Sequence, residues 1–299
     1  MNQNIWKAIA ILGIVGLLII SIISVIVLFL TSKPQLSMSS CIGVLEIQGV
    51  IDLKSKESTF SYYPGAEDYA EAIRKASDNP TIKGLFVVIN SPGGSVVASD
   101  VIYRELKRFN KPKVSYIEEI GASGGYYIAL GSSKIYAHQN SLIGNIGVIM
   151  YLENYQGLLD KLGINITAVK SGRYKDIGSP FRNITNEELA MIQDIINETY
   201  DQFIQILLDS RYISEELIEN VTDGRIMTGN MGKKVGLIDD VGLKRDFLIK
   251  FANELGVDPN NICDITPKKQ IGGLFSLYSL LSEFIYPNSY ANRYRLRAE

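Results

Sequence analysis

The 299-residue sequence predicts an α/β layered fold with a parallel sheet, and three observations carry that prediction. Residues 84–89 form a continuous apolar run of strand length, as expected where helices cover both faces of a sheet. Ser95 can then cap a helix whose inner face carries Val97, Val101, Ile102, Leu106 and Phe109 at three- to four-residue spacing. After Asn110 and Pro112 end that helix, residues 114–117 return as a strand. Strand, helix and strand over about thirty residues make a βαβ unit with a right-handed crossover.

The remaining elements follow in order. From Ala8 to Leu30 every residue is apolar, Gly or Ser, enough to cross a bilayer core at ~20 residues per span. A cleaved signal peptide has a shorter apolar region of ~7–15 residues and a small-x-small site, which Val27 to Leu30 does not offer. The expected organisation is therefore a short tail and uncleaved transmembrane anchor over 1–31, a polar linker over 32–40 and one domain over 41–299. Lys7 before the span and Lys33 after it specify orientation weakly; so short a leading tail suits a cytoplasmic start and an outside body.

Residues 42–51 are rich in β-branched side chains and read as a strand. Residues 69–77 suit a short amphipathic helix stopped by Asp78, Asn79 and Pro80. Ser91, Pro92, Gly93 and Gly94 read as a tight turn, and residues 134–137 and 164–169 as further strands. Thr185 and Glu188 form a capping box ahead of the stripe Leu189, Ile192, Ile196, Tyr200, Phe203 and Leu207. Residues 229–235 suit a short helix, and residues 272–287 are too apolar for a free tail.

Composition narrows the function. A net charge of -2 gives no reason to expect a nucleic-acid partner. A single histidine leaves few metal ligands, there is no phosphate-binding loop motif, and no cofactor is expected. Cys41 and Cys263 form no framework, and two unpaired structural cysteines are favoured over a disulfide.

The chemistry centres on Ser123, which stands between Gly121-Ala122 and Gly124-Gly125 where a strand gives way to a helix. Such a turn exposes a hydroxyl beside backbone N–H groups. Gly93 and Gly94, after the preceding strand, can supply further N–H donors for an oxyanion because no Cβ obstructs their approach. A serine hydroxyl still needs a base. His138, the sole histidine, reads as an ordinary loop residue. A desolvated lysine is the alternative base. Lys170 and Lys175 both lie just past an apolar run, and the residues alone do not choose between them.

Several motifs then occur in one order: Asn90 to Ser95, Ala122 to Ile128, Ile143 to Val148, Lys170 to Asp176, Asp223 to Gly229 and Gly236 to Gly242. As an ordered set over roughly residues 41–250, they resemble the signal peptide peptidase A family of membrane-anchored serine peptidases, in its short single-repeat form. The resemblance implies a ClpP/crotonase-type spiral of βαβ units and an extracytoplasmic catalytic domain on a single-pass anchor in the cell membrane. It also implies a Ser–Lys dyad, with Ser123 as nucleophile and Lys175 as general base. Gly94 falls on an oxyanion donor position, and the N–H of Gly124 is the choice for the second. His138 matches no catalytic position.

Asn145 stands where the family usually has a serine that orients the lysine, and its amide oxygen can accept from an amine. The family further implies assembly into a homo-oligomer, with serine and lysine from neighbouring protomers and signal peptides or similar apolar peptides as substrates. Two other readings stand beside this one. The first is a catalytically impaired membrane scaffold of the same fold, for which Asn145 is the hint. The second is a crotonase-fold acyl-CoA enzyme, which would need neither the anchor nor Ser123.

Overall fold

A computed structural model describes residues 13, 16–24, 40–58 and 61–268. The chain divides into two compact units, residues 1–39 and 40–299. In the first, Gly13 and residues 16–24 are helical, and most of the expected anchor lies outside the described residues. Among the described residues no helix is long and apolar enough to cross a membrane. The apolar segment 272–287 and nearly all of the linker also lie outside them.

The second unit opens with β1 (Cys41–Ile51), followed by a small hairpin of β2 (Lys56–Glu57) and β3 (Tyr62–Tyr63). Helix α1 (Ala66–Asp78) leads to β4 (Ile82–Gly94), then α2 (Val96–Arg108) and β5 (Lys113–Ala122). Short elements come next: α3 (Gly124–Ala129), β6 (Lys134–Ala137), β7 (Leu142–Gly144) and α4 (Gln156–Lys161). Helix α5 (Asn186–Ser210) is the longest of these, and α6 (Glu215–Thr222), β8 (Ile226–Thr228) and α7 (Gly229–Lys234) follow it. The described unit ends with β9 (Asp240–Val241), α8 (Lys244–Glu254) and β10 (Ile262–Asp264).

The main sheet runs β10–β1–β4–β5–β6–β9, all parallel, and β7 pairs with the far end of β5 and antiparallel with β8. This is a mixed α/β architecture with a mostly parallel sheet, and it fits a ClpP-like α/β fold. Alternation along the central strand explains why its sequence is apolar without interruption. Leu85, Val87 and Ile89 face one core with Ile102 and Leu106 of α2. Phe86 and Val88 face the other, against Phe247, Leu248 and Phe251 of α8. Both faces are covered, so both sets of side chains must be apolar.

Several expectations are corrected. Residues 91–94 continue β4 instead of turning, because β1 runs on beside them and pairs Val50 with Gly93 and Ile51 with Gly94 across a register shift. Val97 is 61% exposed, since the buried face of α2 is carried by Ala98, Ile102 and Leu106. Residues 164–169 form no strand: they lie exposed, Val169 at 98%, and no strand among the described residues pairs with them. Cys41 and Cys263 are joined as a disulfide across 222 positions. Their pairing follows from topology, because β10 returns alongside β1 with Gly43 opposite Cys263.

Candidate active site

The sharpest backbone feature of the fold is at Ser123. Its φ of 50° and ψ of -122° lie where non-glycine residues are rarely found, at a cost of ~1–3 kcal/mol. Neighbours hold it there. Its N–H donates to the Gly144 carbonyl at 2.9 Å, and its own carbonyl accepts from Tyr127 N–H at 2.9 Å. Behind it, Tyr126 is wholly buried and donates its hydroxyl to the Leu237 carbonyl at 2.6 Å, and burial pushes that phenol's pKa up. The strained turn is thus pinned between β5, β7 and the core under α3.

The glycines pack against this turn. Gly93 has φ of 102°, and a Cβ there would come within 2.7 Å of Gly124 N and 2.9 Å of Ser123 Cβ. A Cβ on Gly124 would lie 2.3 Å from Ser99 Oγ and 3.3 Å from Gly94 N. The main chain of β4 and the start of α3 can approach this closely only because both are glycine. The Ser123 N–H is committed to Gly144, so an oxyanion here must look to other donors. Gly124, at the first position of α3, has an N–H with no intrahelical acceptor. Ser91, wholly buried, shapes the facing strand: it donates to Gly49 O at 2.6 Å and accepts from Gly93 N–H at 3.1 Å. Sequence reading missed that role, which nothing in the turn-like Ser91 to Gly94 pattern signals.

Ser123 lines a cleft of ≈ 750 Å³ together with Gly94, Asn145, Val148, Ile196 and Tyr200. A smaller recess continues past Ser123 and Gly124 to Ser99, Tyr127 and Phe203. Asn145 has φ of 51°, a left-handed conformation that asparagine tolerates. Its N–H donates to Arg225 O and its Nδ2 to Gly224 O, each at 2.8 Å. The side-chain amide is thereby anchored through nitrogen, and its oxygen accepts no hydrogen bond among the described residues.

The structure therefore brings Ser123, Gly94, Gly124 and Asn145 together, and it does not bring Lys175 to them. Lys175 is exposed and is not among the residues lining the cleft. It belongs to an arm over residues 149–181 whose apolar side chains Ile149, Tyr151, Leu158, Leu162 and Val169 stand 57–98% exposed. The two candidate lysines now differ. Lys170 donates to Asp176 Oδ1 at 2.5 Å and to Arg173 O at 3.0 Å. Arg173 bonds Glu187 at 2.6 Å, and Tyr174 donates to the same carboxylate. Of the charged side chains from 170 to 176, Lys175 alone makes no hydrogen bond or ion pair among the described residues. His138 is also away from the cleft, with its Nδ1 accepting from Asn140 N–H at 3.2 Å. Among the described residues no group of side chains could hold a metal ion.

A strained serine at a strand-to-helix turn, backed by glycine main chain on a mostly parallel sheet, suits the class of enzymes that use a serine hydroxyl as nucleophile. The comparison with known proteins narrows this. Residues 105–258 match peptidase family S49. The chain is 40% identical over 214 residues to a candidate protease of Methanocaldococcus jannaschii, covering 71% of this chain and 68% of that one. It is 34% identical over 214 residues to a candidate signal peptide peptidase SppA of Enterococcus faecium, covering 70% of this chain and 62% of the relative. A third similarity, 37% over 191 residues, is to a candidate protease of Synechocystis, covering 63% of this chain and 69% of that one. The chain belongs to peptidase family S49, the SppA family of serine peptidases. Less than two thirds of the Enterococcus relative is spanned by the match.

Proposed function

We propose that this serine peptidase is a membrane-anchored endopeptidase that uses Ser123 as nucleophile and Lys175 as general base. In this reading the two come from neighbouring copies, and the substrates are leftover signal peptides or similar apolar segments. One observation carries it: the strained serine turn and its glycine backing are built within one chain, while Lys175, the only charged side chain from 170 to 176 without a hydrogen bond or ion pair among the described residues, stands outside the cleft, on an arm with an apolar surface. A soluble protein rarely leaves so much apolar surface uncovered. A neighbouring copy seated on the arm would cover it, and would desolvate the amine as a lysine base requires.

In this reading the steps are those of acyl transfer to a serine. The neutral amine of Lys175 takes the proton from Ser123 Oγ as that oxygen attacks the substrate carbonyl. The N–H groups of Gly94 and Gly124 stabilise the oxyanion, a contribution of ~2.7–4 kcal/mol for one such donor. Collapse of the tetrahedral intermediate expels the amine product with the proton carried by Lys175, leaving an acyl-enzyme. Water, deprotonated by the same amine, then releases the acyl group and regenerates the hydroxyl. The amide oxygen of Asn145 suits the orienting of that amine from the cleft side.

The disulfide supports an extracytoplasmic body, because disulfides persist in oxidising compartments. The uncharged stretch from Ala8 to Leu30 supports the anchor. The test is peptide hydrolysis in detergent by Ser123→Ala and Lys175→Ala, each first shown to assemble as the parent does. Both should lose essentially all activity, and hydrolysis at the parental rate by either would remove that residue from the mechanism.

A further inference from the structure

The loop that carries Lys175 is gripped by a single guanidinium. Arg182 donates from Nε to Asp176 Oδ2 and from Nη2 to Asp176 Oδ1, both at 2.9 Å, and Nη2 also reaches the Asp176 carbonyl at 3.2 Å. The other side of the fork holds Glu188, with Nη1 to Oε2 at 2.8 Å and Nη2 to Oε1 at 2.5 Å. Glu188 is buried in the first turn of α5 and also accepts the Thr185 N–H at 3.0 Å. One planar group thus joins the side chain and main chain of the residue following Lys175 to a helix. Further along that helix, Gln193, Ile196 and Asn197 line the Ser123 cleft. Charge-assisted bidentate bonds of this kind fix geometry as well as adding stability.

We propose that Arg182 is a positioning residue for peptide hydrolysis: by bridging Asp176 and Glu188 it sets where the Lys175 amine is presented. This rests on Lys175 being the base. Lys170 completes the clamp as a counter-charge to Asp176, which explains why the first lysine of the motif is engaged and the second free. The role needs a fork. A lysine at 182 is a point charge that can hold one carboxylate but cannot bridge two in a plane. An error of about 1 Å in the presentation of a catalytic group lowers rates by ~10²-fold.

The experiment compares Arg182→Ala, Arg182→Lys and Lys175→Ala in the full-length protein in detergent, with a fluorogenic apolar peptide and with assembly checked by size-exclusion chromatography. Arg182→Ala should lower kcat by roughly 10- to 100-fold while KM stays within about twofold, because the cleft residues are untouched. Arg182→Lys should recover part of the loss. If Lys175→Ala is inactive and Arg182→Ala keeps the parental kcat, or loses only in KM, the positioning role is refuted while the base assignment stands. If Lys175→Ala is active, the base assignment itself falls and this role with it. Should Arg182→Ala fail to assemble, Asp176→Asn, of equal size, carries the same expectation for kcat, and an unchanged kcat there overturns the proposal.

Discussion

Ser123 and Lys175 are held in place by opposite kinds of structure. Around Ser123 the constraint is covalent geometry and close packing: two glycines pressed on a strained turn, and a buried tyrosine beneath it. Around Lys175 the constraint is charge, with Arg182, Asp176, Glu188 and Lys170 holding a loop whose apolar flanks face solvent. The first arrangement is finished when one chain has folded. The second holds a side chain at the surface, as the proposed use by a neighbouring copy requires.

The largest effect that can break this contrast is complementation. Ser123→Ala and Lys175→Ala, each inactive alone, should regain hydrolysis when co-expressed and co-purified, because some interfaces then pair an intact serine with an intact lysine. Mixed assemblies as inactive as their parents would place both residues in the same chain's site. A second test acts on the packed side only. In Gly93→Ala a new Cβ must crowd Gly124 N at a positive φ, so kcat for peptide hydrolysis should fall by about 10²–10³-fold through the oxyanion donors. Assembly, judged by light scattering, should be unchanged.

The smallest effect sharpens the charged side. Hydrogen bonds from Arg182, then from Thr185, lower the Glu188 carboxyl from its ordinary 4.5 to about 2, and Arg182 and Lys170 hold Asp176 far below the usual carboxylate range. Depressed carboxylates contribute stability that is complete above their unfolded values and lost as pH falls through the folded ones. The 170–188 segment should therefore resist proteolysis at pH 5 and open progressively as pH falls from 4.5 toward 2. Arg182→Ala should already be open at pH 5. Equal cleavage of the two proteins at pH 5 would contradict the clamp.

Much of the fold was legible in the sequence because its causes are local. The apolar run of β4, the Ser95 cap and the Thr185–Glu188 capping box each specify an element from a few neighbouring residues. The continuation of β4 through Gly94 was not legible, since it depends on β1 reaching beside it. The missing strand at 164–169 shows the converse: a β-like composition forms no strand without an edge to pair with. At the site, Ser123 and its glycines could be read from spacing, because close approach demands those residue types. Arg182 could not, because a guanidinium bridging two carboxylates leaves no mark in a sequence except three charges among many.

The disulfide has one more consequence. Cys41 begins the first described strand and Cys263 lies in the last described one, so residues 41–263 form a closed covalent ring. The exposed apolar arm is the kind of segment a peptidase could cut, in itself or in a neighbour. A single cut there opens the ring to a line but releases no fragment. The nicked body stays one molecule, with its serine turn and its sheet still joined.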